Sequence, residues 1–315
     1  MPMGVVTNGA VRGLRALPWV LLAWLLSSCG GTSQIEPFQP RQLIFVGDEN
    51  VGLLPDGRRY GINGLDANGA FDCATVQIWS QQVASNFGLS IDRCNAGTGG
   101  VTRAIAGGKV ADLDAQISAQ IAAGVTSKDL FIVMVGMNDI IDLYETFTGD
   151  RNCDIEERTP PAGSLMAELR ARGSQAAAQV SRILAAGGRA IVSTVHDLGL
   201  TPYALSRGAG GQLTCMTAIY NARLRVDIDP QDGRLWGLIL ADDDTVAITR
   251  APSNFGVSNA TVGACAVAPP DCTTATLVAG ASASAYLWAD DRHFAQALQD
   301  MLASQTVSRA RNSPF

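Results

Sequence analysis

The chain has 315 residues, 47% of them apolar, with 29 acidic against 23 basic side chains and a net charge of −6. An acidic surface excludes a nucleic-acid partner and an electrostatic hold on anionic lipid. With two histidines and no CxxC pair, a metal site is not expected and no cofactor is implied.

Arg12 and Arg15 precede an apolar stretch, Ala16–Leu26. Its length suits the h-region of an export signal and falls short of the roughly 18 residues a membrane span needs. The stretch runs into Leu26-Ser27-Ser28-Cys29-Gly30, which resembles the box cut by lipoprotein signal peptidase. The resemblance implies a signal peptide over residues 1–28, acylation of Cys29, and membrane attachment through lipid alone. Gly30 and Gly31 follow, not an aspartate, which in Gram-negative lipoproteins implies the outer membrane. A cell-envelope location is therefore expected. Residues 29–40 read as a polar tether and residues 41–315 as one domain.

Six cysteines remain once Cys29 is acylated, and an even number in an exported chain reads as disulfides. Six cysteines admit fifteen pairings. Cys265–Cys272 is expected first, because it closes a Pro-rich loop. Cys73–Cys94 is expected next, which leaves Cys153–Cys215.

Along the domain, apolar runs alternate with helical stretches. Leu43–Val46 is a short buried strand ending at Gly47-Asp48, and Leu130–Val135 is a second ending at Gly136. Ala190–Thr194 is a third, after the helix-terminating pair Gly187-Gly188. Asp112–Ala123 and Ser164–Ala186 read as helices, and a last helix begins near Phe294. Asp242-Asp243-Asp244 reads as a solvated turn. Continuous apolar strands alternating with helices predict an α/β domain whose parallel sheet is covered on both faces. Sites in such sheets form beyond the C-terminal strand ends.

Four segments fall at or near those ends. They are Phe45-Val46-Gly47-Asp48-Glu49-Asn50; Ala106-Gly107-Gly108-Lys109-Val110 with Asp112, Leu113, Gln116 and Ile117; Val135-Gly136-Met137-Asn138-Asp139; and Leu287-Trp288-Ala289-Asp290-Asp291-Arg292-His293. In this order they resemble the F-G-D-S, glycine, G-x-N-D and D-x-x-H blocks of the SGNH/GDSL esterase–lipase family. Asp197–Pro202 and Tyr220–Leu224 also look like family segments, so the resemblance covers roughly residues 42–305. It implies a three-layer α/β/α, flavodoxin-like domain and a small-molecule or lipid ester as substrate.

Acyl transfer needs a nucleophile, a base, an orienter and donors for the developing oxyanion. His293 is the candidate base. Asp290, three residues earlier, is its orienter, and spacing favours it over Asp291. The side-chain amide of Asn138 and the backbone N–H of Gly108 are the candidate oxyanion donors, Gly108 being preferred to Gly107 by its place in the motif. His196, beside Asp197, reads as a loop histidine, not a second dyad.

The departure lies at the nucleophile. The family's serine falls at residue 49, and residue 49 is Glu49, followed by Asn50, Val51 and Gly52. A carboxylate is a poor nucleophile toward esters, since its attack would give an anhydride. It can pair with His293 and make the ring a weaker base at neutral pH, or the pair can activate a water. A second departure, Phe294-Ala295 where many relatives have Pro-Thr, concerns packing. Two functions compete on this reading. One is an envelope lipoprotein that acts on carboxylic esters through a modified site. The other is a catalytically inactive relative that serves as a binding or structural lipoprotein. A sugar- or lipid-binding module would need an aromatic platform, and aromatics are only 6% of the chain.

Overall fold

The structure, a computed structural model, describes residues 37–94, 96–228 and 235–312, together with Gly4. The expected signal peptide over 1–28, Cys29 and the tether up to residue 36 lie outside the described residues. Phe38, which the sequence assigns to the tether, is instead buried in the domain core, with Lys128 and Arg189 over its ring. An aromatic side chain this close to the first strand gains more by covering the sheet than by staying in water.

Six strands form the main sheet: β1 (Gln42–Gly47), β2 (Ser90–Ile91), β3 (Gly99–Thr102), β4 (Asp129–Met134), β5 (Arg189–Ser193) and β6 (Trp236–Ile239). They pair in the order β2-β3-β1-β4-β5-β6, every neighbour parallel. Apart from the two-residue β2, this is the flavodoxin-like order, which reverses direction at β1. The helices are α1 (Trp79–Asn86), α2 (Leu113–Ala123), α3 (Met137–Thr146), α4 (Leu165–Ala185), α5 (Pro202–Ser206), α6 (Gly210–Asp227), α7 (Ala241–Arg250) and α8 (Gln296–Asn312).

The unbroken apolar runs of β1, β4 and β5 follow from burial on both faces. Ile44, Val46, Phe131, Val133, Ala190 and Val192 point to one side and pack with Leu113 and Ile117 of α2, Leu169 and Val180 of α4 and Leu213 of α6. Leu43, Phe45, Leu130, Ile132 and Ile191 point to the other and pack with Trp79 and Val83 of α1 and Leu298 and Leu302 of α8. The alternation of strand side chains turns each run into two cores. The result is the expected α/β/α sandwich. At the start of α4, the Ser164 hydroxyl accepts from the Ala167 N–H at 3.3 Å and caps the helix.

Three strands escape the sequence pattern. β2 has only two residues, and β3 (Gly-Gly-Val-Thr) and β6 (Trp-Gly-Leu-Ile) have apolar runs diluted by glycine. A second, two-stranded parallel sheet, β7 (Asn259–Gly263) with β8 (Tyr286–Trp288), is also new; it delivers the chain to Asp290. The acidic run 242–244 is not a solvated turn. It forms the first turn of α7, where carboxylates favour the helix N-terminus, and Asp242 pairs with Arg225 at 2.6 Å.

The structure pairs the cysteines as Cys73–Cys94, Cys153–Cys215 and Cys265–Cys272. The bridges span 21, 62 and 7 residues, so Cys153–Cys215 restrains the unfolded chain most. Replacing both Cys153 and Cys215 by alanine is expected to lower unfolding stability by about 2–5 kcal/mol. Denaturant midpoints for the three paired knockouts should fall in the order of loop length, with the Cys265–Cys272 variant least affected.

Candidate active site

Two glycines let the ends of β1 and β4 meet. Gly47 has φ +131°, and a Cβ there would sit 1.7 Å from the Met134 carbonyl oxygen. Gln116 of α2 clamps the same peptide: its Oε1 accepts from the Gly47 N–H at 2.7 Å and its Nε2 donates to the Gly47 carbonyl at 3.0 Å. Beyond it, the Asn50 N–H donates to Asp48 Oδ1 at 2.9 Å and the Trp79 indole donates to the Asn50 carbonyl at 2.7 Å. Residue 49 is thus held at the strand end on a fixed turn. Gly136, at φ +124°, leaves room for Tyr220, whose ring would lie 2.4 Å from a Cβ. The chain then enters α3, which places Asn138 in its first turn. Asp139 accepts from the Val110 N–H at 2.9 Å and so ties α3 to the glycine segment.

These supports converge on the Glu49 carboxylate. Its Oε2 accepts from the Gly107 N–H at 2.8 Å and from Asn138 Nδ2 at 3.0 Å. Its Oε1 lies 3.4 Å from His293 Nε2. On the far side of the ring, His293 Nδ1 is 2.8 Å from Asp290 Oδ2. Asp290 Oδ1 accepts from the backbone N–H groups of Arg292 and His293 at 2.9 and 2.7 Å, which locks the carboxylate against the ring. The turn is closed by the Ala289 N–H donating to the His293 carbonyl at 2.7 Å. His293 precedes α8 by three residues and does not cap it.

The electrostatics follow from this geometry. Burial pushes the His293 imidazolium down, but the hydrogen bonds and charges of Asp290 and Glu49 outweigh it and raise the ring to about 9. Burial pushes Asp290 up, yet His293 and the two backbone donors bring it down to about 2. Burial likewise opposes ionisation of Glu49, and His293, its own backbone N–H and that of Gly107 hold it below its ordinary value. At neutral pH the site is therefore a cation between two anions. Asp48, fully buried beside Glu49, goes the other way: desolvation and the Glu49 charge raise it well above the carboxylate range.

Glu49, Asn138, Asp290 and His293 come together as the sequence places them. Gly108 does not serve as the backbone donor. Its N–H is turned to the Ile105 carbonyl at 3.1 Å and its carbonyl accepts from Asn138 Nδ2 at 3.2 Å, so the donor reaching the carboxylate is Gly107. Gly107 adopts φ +71°, which turns its N–H into the site. Asp291 pairs with Arg292 and not with the ring. His196 forms no dyad, because Asp197 is engaged by Gly199 N–H and Thr214. The His196 ring is buried against Trp288 and Phe294, and burial pushes it down to about 3. Sequence reasoning missed the Gln116 clamp and Tyr60, whose ring centre lies 5.2 Å from that of His293. Gln116 stood within the glycine segment without a stated role; nothing in the sequence marks Tyr60.

A parallel α/β sheet with an Asp–His pair facing an amide-lined cradle at its C-terminal edge defines a hydrolase-type site. The family model for GDSL-like lipase/acylhydrolase matches residues 56–305, and the chain belongs to this family of ester hydrolases. The matched span takes in Gly107, Asn138, Asp290 and His293 and begins beyond Glu49. Among solved structures, similarity is found to an acetyl xylan esterase, at 14% identity over 85% of this chain and 98% of that one, with a TM-score of 0.46. It is also found to a catalytic mutant of an acetylxylan esterase from Geobacillus stearothermophilus, at 15% identity over 89% of this chain and all of that one (100%), with a TM-score of 0.44. No curated protein sequence matches.

The shifts set a pH profile. The folded value of His293 lies above the ordinary 6.5, so its contribution to stability is complete below about 6.5 and lost as pH rises through about 9. Asp290 lies below the ordinary 3.8, so its contribution is present above that value and lost as pH falls toward about 2. Melting temperature measured from pH 5 to 10 is expected to fall between 6.5 and 9. In Glu49→Gln the alkaline fall should begin at lower pH, because one of the two anions holding the ring is gone. A profile unchanged by that substitution would show that the two side chains are not coupled.

Proposed function

We propose that Glu49 stands at the nucleophile position of an SGNH/GDSL-type site, and that the protein is a lipid-anchored envelope member of the family whose site is closed to acyl transfer at neutral pH. One observation carries this reading. The Glu49 carboxylate spans the site, with one oxygen on the amide donors and the other against His293. The donors meant for a transient oxyanion hold a permanent one, and His293, charged at neutral pH, has no lone pair to act as a base. Such a protein serves by binding or as a structural component of the envelope, anchored at Cys29 in the outer membrane.

A second reading is favoured by the complete Asp290–His293 pair and its amide donors. In it the Glu49–His293 pair activates a water that hydrolyses a carboxylic ester, without a covalent intermediate, once the ring loses its proton near pH 9.

Glu49→Ser separates the two. The wild type should resist fluorophosphonate labelling, which requires an activated serine, and Glu49→Ser should gain labelling and short-chain esterase activity that His293→Ala removes. The gain is expected to be modest, since a misplacement of about 1 Å costs roughly 100-fold. Strong labelling of the wild type would place the nucleophile at another serine. Wild-type ester hydrolysis that rises toward pH 9 and disappears in Glu49→Gln would establish the water route.

The anchor is tested separately. Mass spectrometry of the mature N-terminus is expected to find acylated Cys29; an unmodified N-terminus at another residue would refute it.

A further inference from the structure

The two most exposed large apolar side chains among the described residues, Val226 at 64% and Ile155 at 62%, line the same groove. One wall is the outer side of α6, where Ala218, Ala222 and Val226 recur every fourth residue and are all exposed. A surface helix ordinarily turns polar residues to that side. The other wall is the loop that carries Ile155 and Arg158. Cys153–Cys215 ties this loop to α6, and Arg170 of α4 donates to the carbonyls of Glu157 and Arg158. A covalent bridge and two hydrogen bonds to the main chain therefore hold the walls in place.

Three guanidiniums, those of Arg158, Arg170 and Arg223, line this apolar groove. Arg223 is paired with Asp227 at 2.6 Å. None of the ion pairs among the described residues involves Arg158 or Arg170. Glu156 and Glu157, beside them in the chain, do not line the groove. In a chain of net charge −6, two uncompensated cations thus stand against the most exposed apolar surface. They complement a ligand that is apolar along its length and anionic at its head. A guanidinium presents parallel N–H donors that fit a carboxylate. The groove encloses about 430 Å³, within the roughly 300–1,000 Å³ of small-ligand sites. Eight residues line it, against roughly 20–30 a side in a stable protein interface, so its size suits a small amphiphile.

We propose that this groove binds a free long-chain fatty acid, with the carboxylate on Arg158 and Arg170 and the hydrocarbon chain along Ile155, Ala222 and Val226. Covering the apolar walls supplies the affinity. The guanidiniums select an acid over a neutral lipid. Glu49, Gly107, Asn138, Asp290 and His293 do not line the groove. The proposal is therefore independent of the role of Glu49, and the failure of one leaves the other standing.

Calorimetry decides it, on the full mature chain carrying Cys29→Ser, which bears no acyl chains of its own. Laurate, below its micelle concentration, is expected to bind saturably at a single site, and hexanoate not measurably. Val226→Glu should weaken laurate by about tenfold or more, because it puts a charge where the hydrocarbon lies. Arg158→Gln should weaken laurate roughly tenfold, the loss of one charge-assisted hydrogen bond. It should leave dodecanol unchanged, which a merely structural role for Arg158 would not predict. Melting temperatures check that the variants fold; should Val226→Glu fail, Ile155→Asp makes the same test from the opposite wall. Absence of laurate binding overturns the proposal. Binding that survives Val226→Glu but is lost in Glu49→Gln would put the acid in the candidate active site and overturns it too. Equal affinity for laurate and dodecanol overturns the assignment to an acid. A dimer in sedimentation that Val226→Glu dissociates and laurate does not would make the groove an interface between copies, and the proposal would fall.

Discussion

The site hangs on a buried carboxylate and a buried imidazole, each of which favours the charged form of the other. Glu49 and His293 are 8% and 6% exposed, and either charge alone at that depth would be strongly disfavoured. At 3.4 Å their contact is an ion pair more than a well-formed hydrogen bond, so attraction alone does not hold them. Each is oriented from behind: Asp290 fixes the ring, and Gly107 and Asn138 fix the carboxylate. The four pieces of chain involved are the end of β1, the segments following β3 and β4, and the turn before α8, which together span nearly the whole described domain. The close approach at Gly47, where no side chain fits, sets the position from which Glu49 reaches all of them.

This arrangement changes what the family's parts do. Preorganised donors catalyse because they meet charge that develops only in the transition state. Here the charge they meet is a side chain's and is already present in the ground state. The histidine is altered by the same contact. A base must be neutral at working pH, and a ring raised to about 9 by two flanking anions is not. Asp48 shows the cost of burying negative charge here: out of water and beside Glu49, its carboxyl is pushed well above its ordinary value.

The sheet was legible in the sequence wherever its strands are buried on both faces, because runs such as Leu43–Val46 and Leu130–Val135 have no other reason to be continuously apolar. β3 and β6 were not, since glycines within them break the run while backbone pairing holds the strand. Asn138, Asp290 and His293 were readable from short spacings that a turn or a helix start preserves. Gly107 against Gly108 was not, because the choice rests on which peptide N–H a left-handed residue turns inward, a backbone property no side chain reports. Tyr60 was invisible for a related reason: it reaches His293 across more than two hundred residues, through the turn that β7 and β8 set in place.

The intact donors therefore carry less weight for turnover than they do in the sequence alone. Read from motifs, an amide cradle and an Asp–His pair kept without a serine suggest a catalyst under continuing demand. In the folded chain the same groups have a structural duty. A carboxylate buried at the end of β1 needs donors, and Gly107 and Asn138 provide them; its charge needs a cation, and His293, held in that state by Asp290, provides it. Removing any of them would leave Glu49 unsupported whether or not an ester is ever bound. What these residues report directly is the presence of a buried carboxylate.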